Sequence, residues 1–191
     1  MAFKNFKVET DADGIVLVTW DAPGRSMNVL DETSINELEE IVKQTSADAA
    51  VKGVVITSGK EALSAGADLA MLEGMNRQYT DLVKVEGEVA ANQMLFDQSR
   101  RFSQVFRAIE TAGKPWAAAI NGLALGGGFE LTLSCHYRVA AENSKTRLGL
   151  PEVKVGLFPG AGGTQRLPRI VPPQDAMSLL LKGEVVNLVR A

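Results

Sequence analysis

The sequence has a single cysteine, Cys135, and a single histidine, His136, among its 191 residues. One cysteine excludes an intramolecular disulfide and a multi-cysteine zinc site. One histidine excludes a His-rich metal site, so we expect chemistry that needs no metal. We interpret both residues as packing residues, because neither has an evident nucleophile or base as a partner.

Long hydrophobic runs, targeting segments and a strong charge imbalance are also lacking. No window approaches about 18 uninterrupted apolar residues, and the first ten residues resemble neither a secretion signal nor an Arg-rich amphipathic leader. The net charge is −3, which argues against a chain that coats nucleic acid or anionic lipid. These absences predict a cytoplasmic protein with no membrane span and no nucleic-acid partner.

What is present indicates one globular domain over residues 1–191, with 46% hydrophobic and 23% charged residues. Residues 6–10 and 15–20 predict a hairpin, residues 31–45 an amphipathic helix and residues 51–59 a buried strand. This succession predicts an α/β architecture. The later predictions are a short helix at 68–75, a helix at 80–112 broken near Gly87, a strand at 114–120, a strand-to-helix turn at 121–130 continuing as helix to Ser134, a strand at 137–141 and a helix at 172–182.

Two segments offer backbone N–H groups to a ligand. Gly126, Gly127 and Gly128 stand between a predicted strand and a helix, where uncovered N–H groups suit an anion or an oxyanion. The N–H of Ala67 can supply a second donor. The alternatives are a tight turn with close packing at the glycines and a simple N-cap at Asp68. No segment completes a dinucleotide or P-loop motif, which counts against a nucleotide-binding domain.

Two glutamates are candidates for proton transfer. Glu130 lies one turn into the helix after the glycines, and Glu152 follows Pro151 on a later segment. Carboxyl groups in a partly apolar pocket have raised pKa values and exchange protons near neutral pH. The alternatives are that the helix dipole alone favours Glu130 and that Glu152 is solvated.

Four motifs in order give the chain a close resemblance to the enoyl-CoA hydratase/isomerase, or crotonase, family: AGADL at 65–69, NGLALGGGFEL at 121–131, LGLPE at 148–152 and PGAGGTQRLPR at 159–169. The resemblance implies an α/β, crotonase-like spiral of repeated ββα units. It also implies that residues 1–191 are one core domain, truncated at the C-terminus, whose C-terminal helical part is missing. The closest pattern is the N-terminal hydratase part of multifunctional fatty-acid oxidation proteins.

The site that this resemblance implies holds an acyl-CoA thioester, with its carbonyl oxygen between the N–H groups of Ala67 and Gly127. Glu130 would help to activate water and Glu152 would exchange a proton with the α-carbon, giving a 3-hydroxyacyl-CoA. No cofactor and no metal is implied, because coenzyme A is part of the substrate. The implied substrate contacts are Arg25, Met27, Ala65, Ala67, Leu69, Gly126 and Gly127.

Residues 138–169 carry six basic and two acidic side chains, which either help to attract the CoA polyanion or serve in structural ion pairs, as for Arg166 and Arg169. The leading hypothesis is a 2-enoyl-CoA hydratase of fatty-acid β-oxidation. The alternatives are a Δ3-Δ2-enoyl-CoA isomerase and an inactive acyl-CoA-binding fragment. Further expectations are a homo-oligomer or a place in a larger multifunctional chain, and exposed apolar surface at Ile170, Leu179 and Leu180.

Overall fold

Two β-sheets organise the fold of residues 3–189, the part of the chain that the computed structural model describes. The larger sheet has the order β1-β2-β3-β4-β6, and the smaller has the order β5-β7-β8. Strands β1 and β2 pair antiparallel, while β2 through β6 of the larger sheet pair parallel. The strands are β1 (Phe6–Thr10), β2 (Ile15–Trp20), β3 (Gly53–Ser58), β4 (Trp116–Ile120), β5 (Leu123–Leu125), β6 (Tyr137–Ala140), β7 (Arg147–Gly149) and β8 (Val185–Val186).

Helices alternate with these strands and confirm the predicted α/β class. They are α1 (Glu32–Ala47), α2 (Leu69–Glu86), α3 (Glu88–Glu110), α4 (Gly127–Ser134), α5 (Gly163–Ile170) and α6 (Pro173–Leu181), with a 3-10 helix at Pro151–Val155. Repeatedly, one strand joins the large sheet, a second extended segment lies outside it, and a helix follows, as in the β4, β5, α4 unit. No helix between residues 3 and 189 is both long and apolar enough to cross a membrane.

Local sequence explains most of these elements. Asp31 and Ser34 form a reciprocal capping box that starts α1, and the predicted apolar stripe of this helix is buried. Helix α4 is buried along its whole length, so Glu130 in its first turn is carried into the interior. Burial alternates along β4, where Trp116, Ala118 and Ile120 are buried in the core and the two alanines between them are partly exposed.

Several boundaries differ from the sequence prediction. Helix α2 continues to Glu86 instead of ending near residue 75, and it contains no fully buried residue, which explains its weak apolar periodicity. The break at Gly87 is confirmed, with a φ of 88°. The 121–130 turn contains β5, while β7, β8 and α5 were not predicted. The expected exposure of Leu179 was wrong, because this side chain packs in the core, and Leu180 is partly buried against the core, although Ile170 is exposed.

Candidate active site

The end of the loop between β3 and α2 is held by backbone hydrogen bonds to Leu30. Leu30 N–H donates to Gly66 O at 2.8 Å, and Asp68 N–H donates to Leu30 O at 2.9 Å. This parallel bridge pairs Leu30 with Ala67, whose own N–H is not used by it. The Ala67 N–H has no acceptor among residues 3–189, so it remains available to a ligand.

The glycine run places a second N–H beside the first. Gly126 has a φ of 52° and a ψ of −132°, a conformation that side-chain-bearing residues rarely adopt, and it turns β5 into α4. Gly127 then begins α4, and its N–H also lacks an acceptor within the described chain. A Cβ atom built on Gly127 would lie 3.9 Å from Ala67 N, so the two amides are neighbours.

Glu130 is almost completely buried, with 2% of its surface exposed. Its Oε1 accepts hydrogen bonds from Ala161 N–H at 2.9 Å and from Gly163 N–H at 2.7 Å. Burial and, to a lesser extent, the charge of Glu152 raise the pKa of this carboxyl to about 7, against the lowering effects of the hydrogen bonds from Gly163 and Ala161. Glu130 can therefore change protonation state near neutral pH.

Glu152 lies on the 3-10 helix directly after Pro151 and is partly buried. Burial raises the pKa of its carboxyl above the ordinary value. Its Oε2 is a buried acceptor without a hydrogen-bond partner among the described residues. Its Oε1 lies 3.1 Å from the point where a Cβ on Gly126 would be, so this carboxyl lies against the glycine turn. An unpartnered carboxyl oxygen is free to exchange a proton with a ligand.

One cavity of about 460 Å³ brings these groups together. It is lined by seven of the predicted site residues: Ala65, Ala67, Leu69, Gly126, Gly127, Glu130 and Glu152. Much of the remaining wall is apolar and comes from Leu30, Met71, Leu72, Met75, Phe102, Leu157 and Phe158. The cavity therefore combines two carboxyl groups, two unpartnered N–H groups and an apolar wall, as ligand pockets commonly do.

Arg25 and Met27 do not line this cavity. Arg25 donates to the Asp68 carboxylate at 2.6 Å and lies 3.5 Å from the Asp31 carboxylate. The hydrogen bond from Arg25 holds the pKa of Asp68 below its usual range, although burial opposes the effect. Met27 is 40% exposed. The structure thus places both residues outside the pocket, with Arg25 next to the N-cap of α2.

The basic residues of the 138–169 segment are mostly used within the protein. Arg138 donates to the carbonyls of Thr132 and Cys135, Arg147 to those of Ser144 and Thr146, and Arg169 to that of Gln165, while Lys145 pairs with Glu61 and Arg166 with Glu110. Lys154 differs from the other five because it lines the cavity. Arg166 therefore forms the structural ion pair expected of it, whereas Arg169 bonds to a backbone carbonyl and forms no ion pair among residues 3–189.

Cys135 is buried as expected of a packing residue, whereas His136 is exposed and hydrogen-bonds to the backbone of Trp116. Cys135 is buried, and burial raises the pKa of its thiol to about 12. His136 Nδ1 accepts from Trp116 N–H at 3.1 Å, and His136 N–H donates to Trp116 O at 2.8 Å. Neither residue lines the cavity.

Two supporting residues were not found from the sequence. Asn28 is fully buried, and its Nδ2 donates to Trp20 O, Ser58 Oγ and Leu63 O, while its backbone carbonyl accepts from Ala65 N–H. Ser64 Oγ accepts from Gly66 N–H at 3.1 Å and donates to Asn28 O at 3.1 Å. Both hold the loop that presents the Ala67 N–H. Their sequence signal was weak, since neither asparagine nor serine in a loop indicates burial.

Comparison with known proteins agrees with this geometry. A family model described as enoyl-CoA hydratase/isomerase matches residues 10–189. The chain belongs to this family. Among solved structures, this family member is similar to the enoyl-CoA hydratase from Bacillus anthracis, with 33% identity and a TM-score of 0.82. That similarity covers 98% of this chain and 66% of the other, and it confirms the crotonase-like fold.

Curated relatives of this enoyl-CoA hydratase/isomerase family member are longer proteins. It is 42% identical over 189 residues to the fatty acid oxidation complex subunit alpha of Idiomarina loihiensis, covering 98% of this chain and 25% of that one. It is also 42% identical to the corresponding subunit of Shewanella amazonensis, covering 96% of this chain and 24% of that one. The chain therefore spans about a quarter of the length of these curated relatives.

Proposed function

We propose that this chain adds water to the α,β double bond of a 2-enoyl-CoA thioester to give a 3-hydroxyacyl-CoA. The observation that carries the proposal is the convergence of Glu130, Glu152 and the unpartnered N–H groups of Ala67 and Gly127 on one cavity. Hydration needs a base for water, an acid for the α-carbon and a stabiliser for the enolate. The cavity lining contains a candidate for each role.

The two N–H groups serve as the oxyanion hole. The thioester carbonyl oxygen accepts hydrogen bonds from Ala67 and Gly127, and negative charge grows on that oxygen as water attacks the β-carbon. Fixed donors in a water-poor site stabilise such charge, and losing one costs about 3 kcal/mol of transition-state energy in comparable sites. The position of Gly127 at the start of α4 adds the positive end of the helix dipole.

The two carboxyl groups have opposite roles in proton transfer. Ionised Glu130 accepts a proton from water as the water oxygen bonds to the β-carbon, and protonated Glu152 gives its proton to the α-carbon. One water is added in total. Before the next turnover Glu130 releases its proton and Glu152 takes one up, by exchange with solvent. A pKa of about 7 lets Glu130 release and regain a proton near neutral pH, and burial raises the pKa of Glu152 above its ordinary value, so both carboxyl groups are suited to proton transfer.

The substrate contacts follow from the cavity wall. The apolar side chains of Met71, Met75 and Phe102 are placed to pack on the acyl chain. Lys154 at the same cavity, together with Arg25 and Met27 outside it, would meet the CoA part. We also propose that the chain works within a larger multifunctional protein, as its relatives named fatty acid oxidation complex subunit alpha suggest.

An isomerase reaction is the second candidate, and one observation favours it. Glu130 Oε1 is occupied by two backbone N–H groups, whereas Glu152 Oε2 has no partner among the described residues. A Δ3-Δ2-enoyl-CoA isomerase moves one proton between two carbons of the substrate, and Glu152 alone could carry it.

The test is loss of the conjugated enoyl absorbance of crotonyl-CoA in the wild type, Glu130→Gln, Glu152→Gln and the exposed control Glu142→Gln. We expect both cavity variants to lose about 10²–10⁴-fold in rate and the control to retain full rate. No hydration of crotonyl-CoA by any of these proteins, with 3-enoyl-CoA isomerised by the wild type and Glu130→Gln but not by Glu152→Gln, would establish the isomerase. CoA-thioester binding without turnover in the wild type would leave an acyl-CoA-binding fragment.

A further inference from the structure

The loop that hydrogen-bonds Glu130 is itself held from behind by Arg166. Arg166 lies on α5, and its Nη1 donates to Ala161 O at 2.9 Å. Ala161 is one of the two residues whose N–H groups bind Glu130 Oε1. The guanidinium occupies the space above Gly162, where a Cβ would lie only 2.2 Å from Nη1. Arg166 therefore contacts the loop at Ala161, one of the two donors, and at Gly162, which lies between them.

Helix α3 fixes the other side of this arginine. Arg166 Nε and Nη2 donate to the two carboxylate oxygens of Glu110 at 3.0 and 3.2 Å. Such two-point pairing fixes the plane of the guanidinium as well as its position. The Arg166 side chain is only 11% exposed, so the pair is shielded from solvent. Ser103 on the same helix donates to Gly160 O at 3.0 Å, which gives α3 a second hold on the loop.

We propose that Arg166 is a positioning residue for Glu130, which it orients through the Ala161–Gly163 backbone and whose negative charge it stabilises. The inference rests on the proposed function, in which ionised Glu130 activates water. The charged groups that face Glu130 are Glu152 from the 3-10 helix and Arg166 from α5. Arg166 lowers the pKa of Glu130, opposing the raising effects of burial and Glu152. Without Arg166, both the charge effect and the fixed loop donors would weaken, so the pKa of Glu130 would rise.

The test measures Glu130 directly by following the ¹³C signals of labelled glutamate carboxyl groups against pH, with Glu130→Gln to identify the signal. We expect a titration midpoint near 7 in the wild type, and a midpoint about one unit higher in Arg166→Ala. Arg107→Ala is the matched control, because Arg107 also pairs with Glu110, at 2.8 Å, but makes no hydrogen bond to the loop. Its midpoint should equal that of the wild type.

Arg166→Lys keeps the charge but cannot form the two-point pair and the carbonyl bond together, so its midpoint should rise by less. If Arg166→Ala fails to fold, the Lys variant alone decides. A wild-type midpoint in the folded Arg166 variants overturns the proposal, as does an equal shift in Arg107→Ala.

The pH profile of kcat/KM for crotonyl-CoA hydration separates this proposal from the proposed function. Its acid limb should follow the carboxyl midpoint in every variant. A shifted midpoint in a protein without hydratase activity would support the positioning role and reject the hydratase. Hydratase activity together with an unshifted midpoint in Arg166→Ala would support the hydratase and reject the positioning role.

Discussion

At the scale of single residues, Glu130 is the most unusual group, because a carboxyl is buried in the core without a direct cationic partner. Two backbone N–H groups bind one of its oxygens, and a second carboxyl faces it in the cavity. Such an environment disfavours ionisation and is typical of groups that transfer protons. The ionised form that proposed catalysis needs is therefore unfavourable for folding.

That cost gives a prediction about stability and pH. The pKa of Glu130 is raised from 4.5 to about 7 in the folded protein, so the folded state holds a proton that the unfolded chain has released. The free energy of unfolding should then fall by about 3 kcal/mol as pH rises from 4.5 to 7.5. Glu152, with its pKa raised by burial, adds to the same slope. Chemical denaturation at several pH values measures it.

Glu130→Gln should flatten this slope, since an amide does not titrate, while Glu142→Gln on the surface should leave it unchanged. A slope as steep in Glu130→Gln as in the wild type would mean that other groups cause the pH dependence. The carboxyls whose pKa values are lowered, Glu61, Asp68 and Glu110, have the opposite effect, because they make the free energy of unfolding rise with pH, mainly below this range.

At the scale of elements, the turn from β5 into α4 decides where the second N–H points. An alanine at Gly126 would adopt a φ of 52° with a ψ of −132°, and its Cβ would lie 3.1 Å from Glu152 Oε1. We expect Gly126→Ala to cost about 1–3 kcal/mol of stability. The loss of hydratase activity should be larger than this loss of stability explains, because the substitution disturbs both the direction of the Gly127 N–H and the position of Glu152.

Gly74→Ala is the matched control for this prediction. Gly74 lies inside α2, and a Cβ there would meet nothing within 4 Å. This variant should gain about 0.5–1 kcal/mol and keep its activity. If Gly126→Ala were as active as Gly74→Ala, the geometry of this turn would not matter for the reaction.

Some elements could be predicted from sequence because their signals are local. The hairpin of β1 and β2 is marked by a turn composition, and α1 by a capping residue and an apolar stripe. Helix α2 was predicted too short because it rests on α3 without burying any side chain completely. Strand β8 has only two residues, and its partner β7 lies more than 30 residues earlier in the sequence, so no local pattern predicts it.

The candidate site shows the same division. The glycines, Glu130 and Glu152 lie in motifs that can be recognised along the chain, and the cavity brings them together. Arg25 and Met27 were assigned from motif position, and the structure places them outside the cavity. The supports of Glu130 come from Ala161, Gly163 and Arg166, whose connection to it depends on tertiary contact between α4, α5 and α3. Contacts between segments that lie far apart along the chain produce no recognisable spacing of residues in the sequence.

At the scale of the whole molecule, apolar side chains surround the mouth of the cavity. Leu69, Val155 and Phe158 line the cavity and are 65%, 66% and 75% exposed. Exposed apolar groups in one region commonly mark a surface that binds another molecule. We expect the isolated chain to self-associate as its concentration rises.

Sedimentation velocity over a range of concentrations tests this expectation. Phe158→Ser should reduce the association, whereas Val85→Ser should not, because Val85 is equally exposed on α2 but does not line the cavity. Monomeric behaviour of the wild type at every concentration would show that this face does not mediate self-association.

The central claim, that two carboxyl groups and two backbone N–H groups in one cavity add water across a double bond, is tested most directly by isotopes. Crotonyl-CoA would be incubated with the chain in water labelled with both ¹⁸O and deuterium, and the product analysed by mass spectrometry. The account predicts one ¹⁸O at the β-carbon and one deuterium at the α-carbon, both lost in Glu152→Gln. Deuterium in recovered thioester without any ¹⁸O would contradict it and would leave a proton-transferring site that does not add water.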